Sequence, residues 1–407
     1  MKKLFSISAI LTLILSVAAC SSDEVVGNDD LKPIPQEYSK VEQTPFAQQS
    51  NKFANKLLTV LSSQPEYAGK NVCVAPISMQ YMLSMAANGA TEALRAEMVG
   101  AMGFDDLGQL NTNNLALLNK LSQSDGYVKV TLDNATWIDQ GFPYQYRFKE
   151  TIQQYYKAQM SVVDFRANPT EAKQQIDQWA QKCTDGLITS VPLEVEKAHL
   201  VMANANCFDG KWANPFDPSY TERSPFYNID GTESTPKTME NYLGCLQYSD
   251  DSLQMVELPY GKGYYSMMLV MPHKTELLDS IAENADWWGW HKQMTEHYTK
   301  VSLPRFSITS GWDKVLDMMA DLGMPHVKDG VFPYIGGTAK ILFLKMVHNV
   351  ALNVDENGTK VAAVSAGSAV DGAATRPYIH AFDHPFIFAI RENTTGAILF
   401  MGKVVKL

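Results

Sequence analysis

Few residues of this chain have the types and spacing that enzymes use for chemistry. The sequence contains no GxSxG, HExxH or GxxxxGKS/T motif and no GxGxxG motif after a strand, so no hydrolase, zinc-protease or nucleotide-binding site is indicated. His291 and His297 are six residues apart, a spacing that does not share a helix face, and we expect both at the surface. His348 and His384 stand in apolar, strand-like segments, where we expect hydrogen-bonded core histidines. The sequence therefore predicts that this protein is not an enzyme.

A tryptophan cluster could instead bind a ligand. Trp287, Trp288 and Trp290 lie close together in the sequence, and exposed aromatic rings offer flat apolar faces to a sugar. No paired carboxylates that could cleave a glycan accompany them at recognisable positions. We favour packing for these side chains and keep a glycan-binding lipoprotein as an alternative.

The cysteines do not indicate a metal site. Cys73, Cys183, Cys207 and Cys245 remain once Cys20 is set aside, an even number that could form two disulfides in an exported protein. Cys73 and Cys207 stand in apolar, strand-like surroundings, where a free cysteine behaves as a small apolar residue. The chain has no CxxC, and none of the four has a histidine at metal-ligand spacing. We expect free, mostly buried thiols, no metal and no cofactor.

The most unusual segment is 355–370, which reads DENGTKVAAVSAGSAV. Between Val361 and Val370 it has no charge, no proline and no side chain larger than valine, so a sheet could bury both of its faces. Composition alone also allows a flexible Ala/Gly/Ser linker. The alternative interpretation is a loop that can become a strand.

Strand patterns flank this segment on both sides. Residues 348–355 alternate between two faces, and Asn357–Gly358 is a turn signal. Downstream, residues 381–405 form two apolar runs separated by a polar stretch at 391–396. The small-residue segment therefore connects two strand systems.

Length and composition fit one large globular domain at residues 45–407. The chain has 407 residues, 45% of them hydrophobic, and a net charge of -10, and no linker or charge block divides it after residue 45. An acidic chain without clustered Lys and Arg is not suited to nucleic acid. We expect a monomer that does not bind nucleic acid.

The first residues form an export signal. Lys2 and Lys3 precede an apolar run that ends at Ala18-Ala19-Cys20. This end resembles a bacterial lipobox, which implies a signal peptide at residues 1–19 and a lipid on Cys20; the alternative is an ordinary secretory signal. Residues 20–44 would then be a flexible tether, and Ser21–Glu24 resembles the surface-export tags of some Bacteroidetes lipoproteins. We expect an outer-membrane lipoprotein of the cell envelope, held to the membrane by its lipid and either surface-exposed or secreted.

Several segments together resemble the serpin family of serine protease inhibitors. The hinge is similar in its acidic residue, Gly, Thr and small-residue run, here Glu356, Gly358, Thr359 and 361–366. The resemblance extends in the correct order over about residues 45–407, which one short motif could not achieve by chance. The other matching segments are NVCVAPISMQYMLSMAANGATEALRAEM at 71–98, ANANCFDGKWANPF at 203–216, MVELPYGKGYYSMMLVMP at 255–272, VSLPRFSI at 301–308 and FDHPFIFAIRENTTGAILFMGKV at 382–404.

The resemblance implies a mixed α+β fold with three β-sheets, eight or nine helices and an exposed reactive-centre loop at about 356–380. It also implies a suicide-substrate mechanism against serine proteases, with cysteine proteases as further targets. A protease attacks the loop, whose freed N-terminal part inserts as a strand into the main sheet and traps the acyl-enzyme. A non-inhibitory serpin acting as a binding module is the alternative.

The same resemblance assigns roles to residues of the hinge. Thr359 matches inhibitory members, because a small hydroxyl can enter a sheet at little cost. Lys360 and Val361 depart from the usual pattern, but alternation points Lys360 to solvent and Val is a good strand former. The expected hinge comprises Glu356, Gly358, Thr359, Lys360, Val361, Ala362 and Ala363.

The scissile bond is bracketed by two ways of counting. About seventeen positions from Glu356 lead to Gly372-Ala373, and counting back from Pro385 leads to Ala374-Thr375. Small aliphatic residues suit the shallow S1 pocket of elastase-like proteases, whereas Arg376 would suit a trypsin-like one but is followed by Pro377. We expect elastase-like targets first and trypsin-like targets less. The candidates are Val370, Gly372, Ala373, Ala374, Thr375 and Arg376.

Three further residues match the family's shutter, a polar cluster beneath the main sheet. They are Ser78, Asn204 and His348, with Ala75 at a position where the family usually has Ser. Loss of that hydroxyl should shift the network by about 1 kcal/mol. Trp212 and Pro385–Phe386 match structural positions of the family, and we expect them to mark the fold only.

Overall fold

The computed structural model describes residues 41–122, 126–191, 193–196, 198–312, 315–337, 344–359 and 378–407, with backbone alone at 344, 345, 347 and 349. The helices in these residues are α1 Pro45–Ser62, α2 Pro76–Gly89, α3 Glu92–Ala101, α4 Leu107–Leu121, α5 Tyr146–Tyr156, α6 Pro169–Cys183, α7 Leu278–Glu283, α8 Trp287–Gln293 and α9 Pro333–Gly336. Short 3₁₀ turns lie at Pro65–Tyr67, Pro218–Tyr220, Thr275–Leu277 and Val315–Met318. None of these helices is both long and apolar enough to cross a membrane.

The strands of the described residues form three sheets. They are β1 Val72–Val74, β2 Val128–Asp139, β3 Gln159–Val163, β4 Leu200–Lys211, β5 Glu222–Arg223, β6 Phe226–Tyr227, β7 Glu233–Ser234, β8 Lys237–Ser249, β9 Leu253–Tyr260, β10 Tyr265–Pro272, β11 Thr295–Pro304, β12 Phe306–Trp312, β13 Leu344–Asp355, β14 Gly358–Thr359, β15 Tyr378–Ala381, β16 Phe386–Glu392 and β17 Ala397–Val404. The mixed α+β class, the three sheets and the number of helices expected above are confirmed in this part of the chain.

Proline and side-chain caps begin several helices. Pro45, Pro76 and Pro169 each occupy the first turn of a helix, where the missing N–H costs nothing and the fixed φ already suits the helix. Thr44 caps α1, because its hydroxyl accepts a hydrogen bond from the Ala47 N–H at 3.1 Å.

The six-stranded sheet has the order β12–β13–β14–β4–β2–β3, and β13 also pairs with β4. Its strands carry the alternation expected from the sequence: His348, Val350, Leu352 and Val354 of β13 are all buried. The apolar helix α2 lies on the same side, where Ile77 packs in one core cluster with β4 residues such as Met202. Helix α6 covers the opposite face, where Ile176 packs in a second cluster with Ala203 and Ala205. The strand pair β4–β13 is therefore enclosed between two helical layers.

The nine-stranded sheet has the order β1–β17–β16–β10–β9–β8–β11–β15, with β5 added beside β8. Strand β15 pairs in parallel with β11 at the end of this order, and its first residue is the first described residue after the small-residue segment. The two ends of that segment therefore attach to different sheets, Thr359 to the six-stranded sheet and Tyr378 to the nine-stranded sheet.

The polar stretch predicted at 391–396 is wrong at its first residue, because Arg391 lies in a strand and forms a buried ion pair. Arg391 belongs to β16 and is buried, and its Nη2 donates to Glu257 Oε1 of β9 at 2.7 Å. Burial is the largest single influence and raises the pKa of Glu257, but the charge of Arg391 and the hydrogen bonds from His291 and Ser266 together outweigh burial and hold the pKa at about 2. The sequence shows a polar stretch because the partner that makes this arginine compatible with the core comes from a distant strand.

Candidate functional site

The two strands that would flank an inserted loop, β4 and β13, bond directly to each other. They run parallel, and their register extends from Leu344 opposite Leu200 to Ala351 opposite Cys207. Neighbouring strands lie about 4.8 Å apart, so no further strand lies between them over this span. This unfilled sheet is what the resemblance implies for a chain whose loop has not been cleaved.

Strand β14 lies between β4 and β13 where their direct pairing ends. Its residues Gly358 and Thr359 run antiparallel to both neighbours. The turn that reverses the chain falls at Glu356 and Asn357, one residue earlier than the Asn357–Gly358 pattern predicts. These two hinge residues are thus the first two residues of an antiparallel strand, and insertion of the loop would lengthen that strand. The Cα partners are Val354 and Asp355 on β13 and Gly210 and Lys211 on β4.

Glu356 anchors this turn through a charged hydrogen-bond cluster. Its buried carboxylate accepts hydrogen bonds from the Thr221 hydroxyl at 2.5 Å and from Arg305 Nε at 2.8 Å, and Arg305 Nη2 donates to the same oxygen. Burial raises the pKa of Glu356, but the hydrogen bonds from Thr221 and Arg305 outweigh burial and lower the pKa overall. The carboxylate therefore stays ionised and fastens the hinge to the segments that lead into β5 and β12.

Trp212 and Tyr260 support the hinge from the nine-stranded sheet side. The Trp212 backbone N–H donates to the Asn357 carbonyl at 2.8 Å, and its indole N–H donates to the Asp355 carbonyl at 2.8 Å. The Tyr260 ring stacks on the Trp212 ring with centroids 4.4 Å apart, and its hydroxyl lies 2.6 Å from Thr359 Oγ1. Trp212, expected only as a fold marker, also positions the hinge backbone.

Gly358 is required by a close approach of two backbones. A Cβ atom at this position would lie 1.9 Å from the Gly210 carbonyl oxygen and 2.8 Å from the Lys211 Cα. The backbone of β4 cannot yield as a flexible side chain could. The glycine therefore sets how far β14 can enter the sheet.

Ser78, Asn204 and His348 converge beneath the β4–β13 pair. Asn204 Nδ2 donates to the Ser78 carbonyl of α2 at 2.5 Å, and Asn204 Oδ1 lies 2.8 Å from His348 Nδ1 of β13. The Ser78 hydroxyl donates to Asn206 Oδ1 of β4. This polar cluster joins β4 to β13 and β4 to α2.

The surroundings of His348 define its protonation state. Its Nε2 accepts a hydrogen bond from the Ala75 backbone N–H at 3.1 Å, so the ring proton is on Nδ1 and is donated to Asn204. Burial lowers the pKa of His348 to about 3, and the Trp312 ring stacks on it with centroids 5.2 Å apart. This histidine is a neutral structural hydrogen-bonding group, as the sequence predicted.

Several residues of the site could not be predicted from the sequence, because they lie far along the chain from the hinge residues that they contact. Thr221 and Arg305 meet Glu356 only after β5 and β12 assemble, and no motif marks Thr221. Arg305 and Tyr260 do stand inside the family-like segments VSLPRFSI and MVELPYGKG, which is the one signal that could have identified them. Asn206 stands two residues after Asn204, on the same strand face.

The remaining predicted residues lie outside the described part of the chain. They are Lys360, Val361, Ala362, Ala363, Val370, Gly372, Ala373, Ala374, Thr375, Arg376 and Cys20.

Two of the histidine predictions are wrong. His291 is 9% exposed, and its Nδ1 lies 2.9 Å from Glu257 Oε2, because α8 packs onto the sheet beside that buried carboxylate. His384 is 45% exposed and pairs with Asp383 at 2.8 Å. It falls in the loop before β16 because Pro385 restricts the residue that precedes it.

The prediction of mostly buried thiols without disulfides is confirmed. Cys73, Cys183, Cys207 and Cys245 form no disulfide, and Cys183 alone of these four is partly exposed. Burial raises the pKa of Cys245 to about 11 and, together with Asp133, that of Cys183 to about 12. These thiols are protonated at neutral pH, which suits inert packing. In the described residues no group of three or more His, Cys, Asp or Glu could hold a metal ion.

The tryptophans do not form a shared platform. Trp287 is buried, its indole N–H donates to Asn55 Oδ1 at 2.9 Å, and Trp290 packs edge-on against it. Trp287 and Trp288 instead border a pocket of about 450 Å³ beside α1, which Lys52 also lines.

The chain is similar to known proteins over most of its length. A family model described as "Serpin (serine protease inhibitor)" matches residues 48–407. Serpin-Z2A of Triticum aestivum is 29% identical over 386 residues, which cover 87% of this chain and 94% of the relative. Arabidopsis AtSerpin1 in its native stressed conformation superposes with a TM-score of 0.76 at 25% identity, covering 90% of this chain and 99% of that one. Human thyroxine-binding globulin with its ligand superposes with a TM-score of 0.77 at 22% identity, covering 89% and 99%, and this likeness shows the fold alone.

Proposed function

Because the chain belongs to the serpin family, we propose that it is a suicide-substrate inhibitor of serine proteases. The observation that carries the proposal is the arrangement of β4, β13 and β14. The first two strands pair directly, and the two-residue hinge already runs antiparallel between their ends. A run of small uncharged residues, 361–370, follows the hinge. This is the arrangement that loop insertion needs.

Insertion would release free energy because it adds backbone pairing. One parallel β4–β13 ladder would be replaced by two antiparallel ladders, which are slightly more stable per residue. At about 1 kcal/mol net per added hydrogen bond, about ten inserted residues give on the order of 10 kcal/mol. Before cleavage the segment is held at Thr359 in one sheet and at Tyr378 in the other. Cleavage frees one end, so the stored free energy becomes available only after the protease has reacted.

The trapping chemistry is carried by the protease. Its serine Oγ attacks the carbonyl carbon of the scissile bond, the amine leaves with a proton from the protease histidine, and an ester joins protease to loop. Insertion then moves that ester together with the protease. Displaced oxyanion donors and a displaced base no longer activate water against the ester. Hydrolysis therefore stops at the acyl-enzyme.

We propose elastase-like proteases as the first targets. The small residues Val370, Gly372, Ala373 and Ala374 suit a shallow S1 pocket. Arg376 would suit a trypsin-like pocket, but Pro377 follows it, and such a bond is a poor substrate.

The experiment mixes the soluble form that lacks residues 1–20 with pancreatic elastase and analyses the products on a denaturing gel. Inhibition gives a covalent band of combined mass, and sequencing the released peptide locates the scissile bond between Val370 and Pro377. Cleavage that leaves the protease active, without a gain in the melting temperature of the product, would contradict the inhibitory mechanism and indicate a non-inhibitory serpin.

We also propose that a lipid on Cys20 attaches the protein to the cell envelope. The lipobox-like Ala18-Ala19-Cys20 and the polar residues after it support this. Radiolabelled palmitate should be incorporated by the full chain expressed in a bacterial host and not by Cys20→Ser. Labelling of the variant would contradict the assignment.

The pocket beside Trp287 supports a second candidate function, that of a binding module. The pocket of about 450 Å³ offers the Trp288 ring and the Lys52 ammonium to a ligand, a size typical of small-molecule sites. Thyroxine, which has aromatic rings and a carboxylate, is a suitable probe, and its titration should quench tryptophan fluorescence in the wild type and not in Trp288→Ala. Unchanged fluorescence in the wild type would contradict binding of this ligand.

A further inference from the structure

An aromatic face lies at the β15 end of the nine-stranded sheet. Ile379 of β15 stands opposite Lys300 of β11, and Lys300 stands opposite Tyr242 of β8. Tyr298 precedes Lys300 by two residues, so it points to the same side. Ile379, Tyr242 and Tyr298 are 66%, 50% and 43% exposed. Single exposed tyrosines are ordinary, but three large neighbouring side chains on one flat surface form a contiguous patch.

The face is ordered, and the charge of its lysine is compensated. The rings of Tyr242 and Tyr298 stack with centroids 6.2 Å apart, and Lys300 Nζ lies 5.9 Å from the Tyr242 ring centroid. Lys300 also pairs with Glu240 at 2.9 Å, and the Ser302 hydroxyl donates to the same carboxylate. Lys300 and Glu240 therefore compensate each other, and Glu296, two residues before Tyr298 on the same strand face, adds one carboxylate at the edge of this face.

A small pocket extends this face. It has a volume of about 180 Å³ and is lined in part by Glu240, Ser302 and Ala381, which form the next cross-strand row after Ile379, Lys300 and Tyr242. A flat aromatic surface that ends in a pocket can seat one projecting side chain of a partner.

The position of the face points to one occupant. The candidate scissile residues Val370 to Arg376 precede Tyr378, the first residue of β15, by eight to two positions (378 − 370 and 378 − 376). A chain extends by at most about 3.5 Å per residue, so the scissile bond lies within about 30 Å of Tyr378. A globular protease of about 230 residues has a radius of gyration of about 17 Å. Tyr378 pairs with Thr299, next to Tyr298, so a protease seated on the loop reaches this face.

We propose that the face formed by Tyr242, Tyr298 and Ile379 is a secondary contact surface for the target protease, used before the loop is cleaved. This rests on the inhibitory function proposed above. Tyrosine is enriched in protein interfaces and among the residues that dominate binding energy, and its rigid side chain loses little entropy on contact. The contact stabilises the encounter complex and so raises the rate of inhibition. It leaves the partition between trapping and turnover unchanged, because insertion happens later.

The test compares wild type with the double variant Tyr242→Ala/Tyr298→Ala. Pancreatic elastase, chymotrypsin and trypsin are screened, and the protease that the wild type inhibits fastest is used. The second-order rate constant should fall about tenfold in the double variant, while the stoichiometry of inhibition and the melting temperature stay unchanged. Tyr146→Ala is the matched control, because Tyr146 is 67% exposed on α5, and its rate constant should equal that of the wild type.

The outcomes separate the surface from the inhibitory function. A covalent complex that forms at the wild-type rate in the double variant would overturn the contact surface and leave inhibition standing. A wild type that forms no covalent complex with any of the three proteases would overturn both. A wild-type dimer that the double variant converts to a monomer in light scattering would assign the face to a second copy of this chain and overturn the proposal.

Discussion

The Thr359 hydroxyl lies 2.6 Å from the Tyr260 hydroxyl, at the point where β14 separates β4 from β13. Both residues are buried, and they belong to different sheets, Thr359 to the six-stranded and Tyr260 to the nine-stranded one. The first inserting residue is therefore held by a side-chain bond between sheets as well as by its backbone pairing.

Removing this bond should destabilise the native form. Tyr260→Phe leaves the Thr359 hydroxyl buried without this partner, at a cost of about 1 to 3 kcal/mol. The melting temperature should fall by a few degrees. Tyr146→Phe, which changes an exposed tyrosine, is the control and should melt as the wild type does. Equal melting temperatures for Tyr260→Phe and the wild type would show that the bond contributes nothing.

Thr359→Arg should turn the inhibitor into a substrate. Thr359 is 1% exposed, and an unpaired guanidinium in that position costs several kcal/mol. The arginine therefore keeps β14 out of the sheet, and the cleaved loop, which must bury it to insert, inserts too slowly to trap the protease. Elastase should cleave the variant without a covalent band, and the stoichiometry of inhibition should rise at least tenfold. Thr359→Ser keeps the hydroxyl and should still trap. Efficient trapping by the arginine variant would contradict the insertion mechanism.

Arg305→Ala should weaken the anchoring of the hinge. It leaves the buried Glu356 carboxylate with Thr221 as its remaining side-chain donor. Loss of one partner of a buried pair costs about 3 to 5 kcal/mol, and about 2 kcal/mol is expected here because Arg305 is 37% exposed. Denaturant unfolding measures the change. The double variant with Glu356→Gln should lose less than the sum of the single variants, and additive losses would argue against a direct coupling.

Acid should destabilise the native state through His348. Its folded pKa is about 3 against an ordinary value of 6.5, so between these pH values the unfolded chain binds a proton that the folded chain does not. The contribution of His348 is therefore complete above pH 6.5 and is lost by up to about 1.4 kcal/mol per pH unit as pH falls towards 3. Unfolding free energies of wild type and His348→Asn, measured from pH 7 to 4, should show the smaller pH dependence in the variant. Parallel curves would contradict this assignment.

Gly358→Ala should move the hinge out of the sheet. Its Cβ would overlap the Gly210 carbonyl oxygen, and that backbone cannot shift without breaking the β4 ladder. Limited proteolysis at residues 356–361 should become faster, and the yield of covalent complex with elastase should fall several-fold. Gly100→Ala is the control, because nothing lies within 4 Å of its added Cβ. Unchanged proteolysis of Gly358→Ala would mean that β14 pairs more loosely than the register indicates.

Local sequence patterns were enough to predict those strands and helices whose buried face depends on residues close together in the sequence. The alternation of residues 348–355 predicted β13 and its buried face, because side chains along a strand alternate with a period of two. His291 and Arg391 could not be placed in this way, because each is made compatible with burial by Glu257, more than thirty positions away from either. A lone histidine or arginine in a sequence carries no record of such a partner.

The sequence by itself determined the family, the small-residue segment that can enter a sheet, and the identities of Ser78, Asn204 and His348. These depend on residue type and order, which are present in any single chain. The tertiary structure alone decided that β4 and β13 are directly paired, that the hinge enters between them by two residues, and that Glu356 meets Thr221 and Arg305. Strand pairing and the burial of charge depend on contacts between segments far apart in the chain, and only folding brings those segments together.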